Sequence, residues 1–151
     1  MGSGQHVWLL AGYGGHGVCS GSAVNVAVSN EDTCLNIMDY RKQIDAALKY
    51  SGGTHLFEDV ALAVFEGRMQ MWANGETVAI TEVICYPRKK VLHVFLAGGE
   101  LDQVVDMVDS AKYWGKMQGC SSMTLAGRKG WVKALAHKGF EHKFTTLGVE
   151  I

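Results

Sequence analysis

The sequence predicts an α/β (α+β) domain: a mixed, mostly antiparallel central sheet with one parallel central pair and flanking helices. Three observations carry this. First, two strand-like stretches, 76–86 (ETVAITEVICY) and 90–97 (KVLHVFLA), are separated only by Pro87, Arg88 and Lys89, so they form an antiparallel hairpin. Second, a helix-period run over 100–118 joins the 90–97 strand to another strand at 121–126, and a long helical connection is what a parallel pair requires. Third, Asn74-Gly75 lies between a strand at 68–72 (RMQMW) and the 76–86 strand, which is a hairpin signal.

Each element has its own reason. Residues 39–50 place Tyr40, Ile44, Ala47 and Leu48 on one side of a short amphipathic helix, which Gly52 and Gly53 end. Thr54 is the expected N-cap of a second helix reaching Glu66. Glu58 and Asp59 lie in its first turns, where the helix dipole favours acids, and Phe57, Val60, Ala61 and Val64 face inward. In the 76–86 strand Val78, Ile80, Glu82 and Ile84 alternate with Thr77, Ala79, Thr81, Val83 and Cys85, so both faces are largely apolar and the strand is central. Pro87 falls in the turn, where its missing N–H costs no ladder bond. Leu101, Val104, Val105, Val108 and Ala111 form the buried stripe of the 100–118 helix. A turn at 127–130, a short helix over 131–138 stopped by Gly139, and a last strand over 140–151 (FEHKFTTLGVEI) complete the expected order.

Composition limits the function classes. The 151 residues fit one domain, and 48% apolar content is enough for a core. A formal net charge of -1 implies no broad basic face, so neither nucleic acid nor an anionic membrane is an expected partner. The apolar runs are far too short to span a bilayer, and the start lacks the basic-then-apolar order of a secretory signal. Cys19, Cys34, Cys85 and Cys120 have no zinc-site spacing, the six histidines no i, i+4 pair, and no metal is expected. Reduced thiols and a cytoplasmic location follow as defaults.

Residues 1–37 differ from the rest. Seven of the 19 glycines fall in the first 21 residues, and no Lys or Arg precedes Arg41. A strand at 6–10 is expected, followed by Gly12-Tyr13-Gly14-Gly15-His16-Gly17, which fits G-x-G-x-x-G with Asp32 downstream. The following Cys, Ser, Gly and Val residues do not read as the helix a dinucleotide fold needs, so a glycine-rich turn is the plainer reading. The expectation is a glycine-rich extension over 1–37 and a domain over 38–151, with Met38 an alternative natural start.

From Asp39 the order is two helices, a meander of strands, a helix, a strand, a helix and a final strand. That order, with the Gly139-Phe140 pair after a short helix, resembles the GNAT (Gcn5-related N-acetyltransferase) superfamily. Stretches such as GRMQMW, YPRKKVLHVFLAGGELD and LAGRKGW are similar to small GNAT-like proteins of tailed bacteriophages and prophages; the likeness covers about three-quarters of the chain. It implies that the 90–97 strand splays from its neighbour and holds the pantetheine arm of acetyl-CoA by main-chain bonds. Phe95, Leu96 and Ala97 would then offer the backbone, Gly98 and Gly99 the pyrophosphate loop, and Arg128 and Lys129 phosphate contacts. The family loop, usually Q/R-x-x-G-x-G/A, is reduced here to two adjacent glycines, and Glu100 and Asp102 follow them. Many members carry a Tyr where this chain has Leu135.

Acetyl transfer to an amine needs a base for the amine proton. Glu82 and His93 are the candidates, on the two adjacent central strands. Their plainer readings are a solvent-facing strand carboxylate and a hydrogen-bonded core histidine. For Cys120 a buried structural thiol is the better reading, and for Trp114 and Trp131 a place in the core. Two functions follow. One is an acyltransferase using acetyl-CoA on an unidentified small-molecule or protein amine, in a bacterial cytoplasm. The other is a non-catalytic GNAT-fold protein that binds copies of itself or phage-particle partners, in the virion if phage-encoded. An opening between the strands at 90 and 121, lined by free backbone, would favour the first; a closed, filled sheet would favour the second.

Overall fold

The computed structural model describes residues 10–11, 36–127 and 129–151. After a two-residue strand β1 (Leu10–Ala11), the Asn36 side chain accepts the Met38 N–H at 3.0 Å and starts a 3-10 turn, Ile37–Tyr40. This turn runs into helix α1 (Arg41–Leu48), which is followed by helix α2 (Phe57–Phe65). Three strands come next, β2 (Met69–Asn74), β3 (Thr77–Cys85) and β4 (Lys90–Gly98). Helix α3 (Leu101–Met117), strand β5 (Cys120–Leu125), the short helix α4 (Gly130–Ala134) and a 3-10 turn, Ala136–Lys138, complete the order.

The fold is mixed α/β, as expected. β2–β3 and β3–β4 pair antiparallel through their tight turns, and β4–β5 pair parallel across α3. β3 therefore lies between β2 and β4, and β4 carries two different partners along its other edge. β5 covers that edge from Lys90 to Val94, and β1 pairs antiparallel with it at Leu96 and Ala97. The change coincides with a β-bulge. Ile80 is opposite Leu96 and Thr81 opposite Val94, which leaves Phe95 as an extra residue on β4.

A sheet with helices on both faces needs apolar side chains on both, and this explains the near-continuous apolar text of β3 and β4. On one face Ile44, Ala47 and Leu48 of α1 and Phe57, Val60 and Ala63 of α2 pack on Met69, Met71, Val78, Ile80, Phe95 and Leu96. On the other, Val104, Met107, Val108 and Ala111 of α3, with Trp131 and Leu135, pack on Trp72, Ala79, Val83, Leu92, Val94 and Ala97. Trp131 and Leu135 are fully interior, and Trp114 packs edge-on against Trp72 with centroids 5.9 Å apart. The Trp72 indole N–H is satisfied by Thr81 Oγ1 at 2.9 Å.

Three expectations are corrected. Leu56, not Thr54, is the N-cap of α2. Its N–H is held by the Asp59 carboxylate at 2.8 Å, while the Thr54 hydroxyl donates back to the Ser51 carbonyl. The 140–151 segment is not a strand: residues 141–151 are exposed and pair with nothing in the sheet. Its alternation gave local strand propensity, but a strand exists only through a partner, and Phe140 instead turns back to donate its N–H to Leu135. The thiols are not uniformly reduced either, since Cys85 is disulfide-bonded and Cys120 is free. The glycine pattern at 12–17 and Asp32 lie outside the described residues. Among those described, no helix is long and apolar enough to cross a membrane.

Candidate functional site

Register brings the two candidate bases together. Glu82 on β3 is the direct cross-strand partner of His93 on β4, and His93 is the partner of Thr124 on β5. Paired residues share a face, so Glu82, His93 and Thr124 form one row across three strands, on the face that carries α1 and α2. Ser122, paired with Val91, points the same way, whereas Met123 and Leu125 turn to the α3 side. The row thus sets four polar side chains among Ile84, Val91 and the bulged Phe95, whose ring meets His55 edge-on at 4.8 Å.

Both bases are interior, not solvent-facing: Glu82 is 5% exposed and His93 6%. Burial raises the Glu82 carboxyl above its ordinary range, because removal from water disfavours the anion. Burial lowers His93 to about 4, so its imidazole is neutral at neutral pH. His93 Nδ1 lies 3.0 Å from Thr124 Oγ1. Its Nε2 and the Ser122 hydroxyl are buried without a hydrogen-bond partner among the described residues. Such orphaned polar atoms are rare in native interiors, where each costs about 1–3 kcal/mol. Two of them on the same face as a buried carboxyl mark a polar row in an apolar wall. Sequence reading found Glu82 and His93 but missed Thr124 and Ser122, since register between β4 and β5 is not written in either strand.

The backbone around Phe95 is the second part of the site. Val94 pairs with Leu125, the last residue of β5, so β5 ends where β4 bulges. The freed edge of Leu96 and Ala97 is paired by Leu10 and Ala11. The side chains of Phe95, Leu96 and Ala97 are all interior, so only their backbone is offered. No opening between the paired parts of β4 and β5 is seen: β5 ends at Leu125, and the chain itself takes the β4 edge beyond it.

The glycine corner is packed by protein. Gly99 has φ +127, and a Cβ there would collide with the Thr77 side chain and Cα. The Thr77 hydroxyl accepts the Glu100 N–H at 2.9 Å and donates to Gln103 Oε1 at 2.5 Å. A Cβ on Gly98 would lie 2.8 Å from the Gln43 carbonyl oxygen, so α1 rests directly on the corner. Gln43 Nε2 in turn donates to the Glu76 carbonyl at 2.8 Å. Each glycine therefore has a packing reason, and the first N–H group before α3 already has an acceptor. Asp102 sits in the first turn of α3, where it opposes a bound anion.

The remaining candidates are dispersed. Lys129 is exposed at the start of α4, and Arg128 lies outside the described residues. Leu135, in the place of the family tyrosine, is 1% exposed and fills the core under α3. Cys120 pairs with Lys90 at the start of β5, far from the bulge, and burial raises its thiol pKa. Among the described residues no cluster of His, Cys, Asp and Glu is placed to hold a metal ion.

No protein-family model matches the chain, and no curated protein matches it. Among solved structures, a point mutant of the Thermus thermophilus protein TTHA1254 is similar at 17% identity, with a TM-score of 0.47, over 63% of this chain and 76% of that one.

Proposed function

We propose that the chain is a GNAT-like acyltransferase that moves an acetyl group from acetyl-CoA to an amine. One observation carries this reading: β4 bulges and runs on past the end of its parallel neighbour, two residues beyond a buried carboxyl–imidazole pair. The fit of acetyl-CoA is divided. The β4 edge past Val94 suits an extended amide-bearing arm, because its backbone groups are not used by β5. The glycine corner suits a pyrophosphate poorly, with Thr77 on the Glu100 N–H and Asp102 in the first helical turn. Acetyl-CoA would supply the thioester.

This chain's residues would supply proton transfer and orientation. Glu82 is the better base, since burial raises its pKa and makes its carboxylate more basic than an exposed one. Thr124 orients His93: with Nδ1–H donated to Thr124 Oγ1, the Nε2 lone pair is free to accept from the amine or from an intervening water. The apolar wall of Ile84, Val91 and Phe95 strengthens each of these polar contacts by excluding water.

The test is acetyl-CoA binding by calorimetry, then acetyl transfer to a panel of amines by wild type and Glu82→Gln. Transfer that falls by about 10²–10⁴-fold in Glu82→Gln with binding retained is the expected result. No binding at millimolar acetyl-CoA overturns the reading. A second reading, a non-catalytic GNAT-fold protein that binds itself or phage-particle partners, is favoured by the protein-filled glycine corner. A full chain that neither binds acetyl-CoA nor transfers acetyl groups, yet forms a defined assembly, would establish it.

A further inference from the structure

We infer that residues Leu10 and Ala11 are an internal competitor for the ligand-binding edge of β4, so that this two-residue strand regulates access to the site. This rests on the acyltransferase reading and adds its regulation.

The inference comes from where β1 pairs. One edge of β4 is used by β3 from Lys90 to Gly98, with Phe95 alone left out at the bulge. On the other edge β5 stops at Val94, and Phe95 bulges. An extended ligand that borrows backbone hydrogen bonds has Leu96 and Ala97 as its place to dock. Leu10 opposite Ala97 and Ala11 opposite Leu96 pair there already. An antiparallel strand and an amide-bearing arm offer the same alternating donors and acceptors to such an edge, so the two exclude each other.

The pairing is short. Two residues bring about two backbone bonds, each with a modest net contribution, so a ligand with several amides and an apolar contact can displace them. A two-residue strand also lacks the length that makes a strand permanent. The packed glycine corner is consistent with this. The corner needs no occupant, because Thr77 serves the Glu100 N–H, whereas the β4 edge does need one and takes residues 10–11.

The experiment uses the full chain and the double variant Leu10→Pro/Ala11→Pro. Proline removes both N–H groups, so whichever of them faces β4 is lost. Two readouts are taken: amide hydrogen exchange at Leu96 and Ala97, and the Kd for acetyl-CoA. The expected result is faster exchange at these residues in the variant and a Kd lowered by about ten-fold, ~1.4 kcal/mol. Saturating acetyl-CoA should restore their protection in the variant and expose residues 10–11 to exchange in the full chain. Unchanged exchange at Leu96 and Ala97 in the variant would overturn the inference, because β1 would then not be what protects them. Equal Kd values would overturn it while leaving the acyltransferase reading intact. No binding by either protein would overturn that reading, and the competition with it.

Discussion

His93 should make the fold sensitive to acid over a defined range. Its ordinary value is 6.5, and burial lowers it to about 4 in the folded chain. A histidine lowered by folding contributes stability that is present above its unfolded pKa and is lost as pH falls toward the folded one, because the unfolded state binds the proton first. Each tenfold difference in proton affinity is worth ~1.4 kcal/mol, so the whole difference is about 3 kcal/mol. Between about pH 7.5 and pH 4.5 roughly 2–3 kcal/mol of it should disappear, a large share of a small domain's stability. Glu82 runs the other way. Its pKa is raised, so its favourable contribution is present at low pH and fades as pH rises through the folded value.

The perturbation that separates them is His93→Gln, which keeps a polar side chain beside Thr124 but cannot titrate. Urea unfolding at a series of pH values, for wild type, His93→Gln, Glu82→Gln and the double variant, isolates the histidine and its coupling to its cross-strand partner. The pH slope between about 7 and 4.5 should flatten by about 2 kcal/mol in His93→Gln and steepen in Glu82→Gln. A His93 resonance that titrates near 6.5 in the folded protein, or an unchanged slope in His93→Gln, would refute the burial argument.

Other outcomes follow from the packing. Gly98→Ala should lower stability by about 1–3 kcal/mol in urea unfolding, since the new methyl meets the Gln43 carbonyl, a backbone atom that cannot turn away. Gly99→Ala should cost more, because collision with Thr77 is added to a backbone of φ +127, and soluble yield should fall with it. Thr77→Val keeps the shape but loses the acceptor for the Glu100 N–H, with an expected cost of about 1–2 kcal/mol and faster amide exchange at the start of α3. Leu135→Ala should remove about 2–5 kcal/mol from a wholly buried position, and Leu135→Tyr should also destabilise rather than add an acid to the site.

What was legible in the sequence divides by range. β3, β4 and α3 could be read because their periodicity answers to burial that each element undergoes by itself. The parallel β4–β5 pair followed from the length of the connection. The neighbours of Glu82 and His93 could not be read. Thr124 reaches His93 only through register, and Ser122 only through the face that register assigns. The 140–151 segment shows the converse, with strand alternation present but no edge paired to it. Leu10–Ala11 lies where the 6–10 strand was expected to end, but nothing in those residues says that β4 is their partner.

Gly98-Gly99 is the clearest case of one signal with two physical meanings. Two glycines between a strand and a helix are what a phosphate-bearing ligand needs, since the ligand must approach the backbone closely. They are equally what a close approach by protein needs, and here the approaching atoms are known: the Gln43 carbonyl at Gly98 and the Thr77 side chain at Gly99. A glycine required by packing cannot also serve as a test of ligand binding. A Gly99→Asp substitution would disturb Thr77 and α3 whether or not acetyl-CoA binds, so a loss of binding in such a variant would prove nothing. Glu82 is different. A buried carboxyl with no hydrogen bond among the described residues does not serve the fold by its charge, and its neutral isostere should leave the strand intact. Function should therefore be tested at the residue whose chemistry the fold does not use, so that a stable Glu82→Gln chain without transfer activity speaks for catalysis alone.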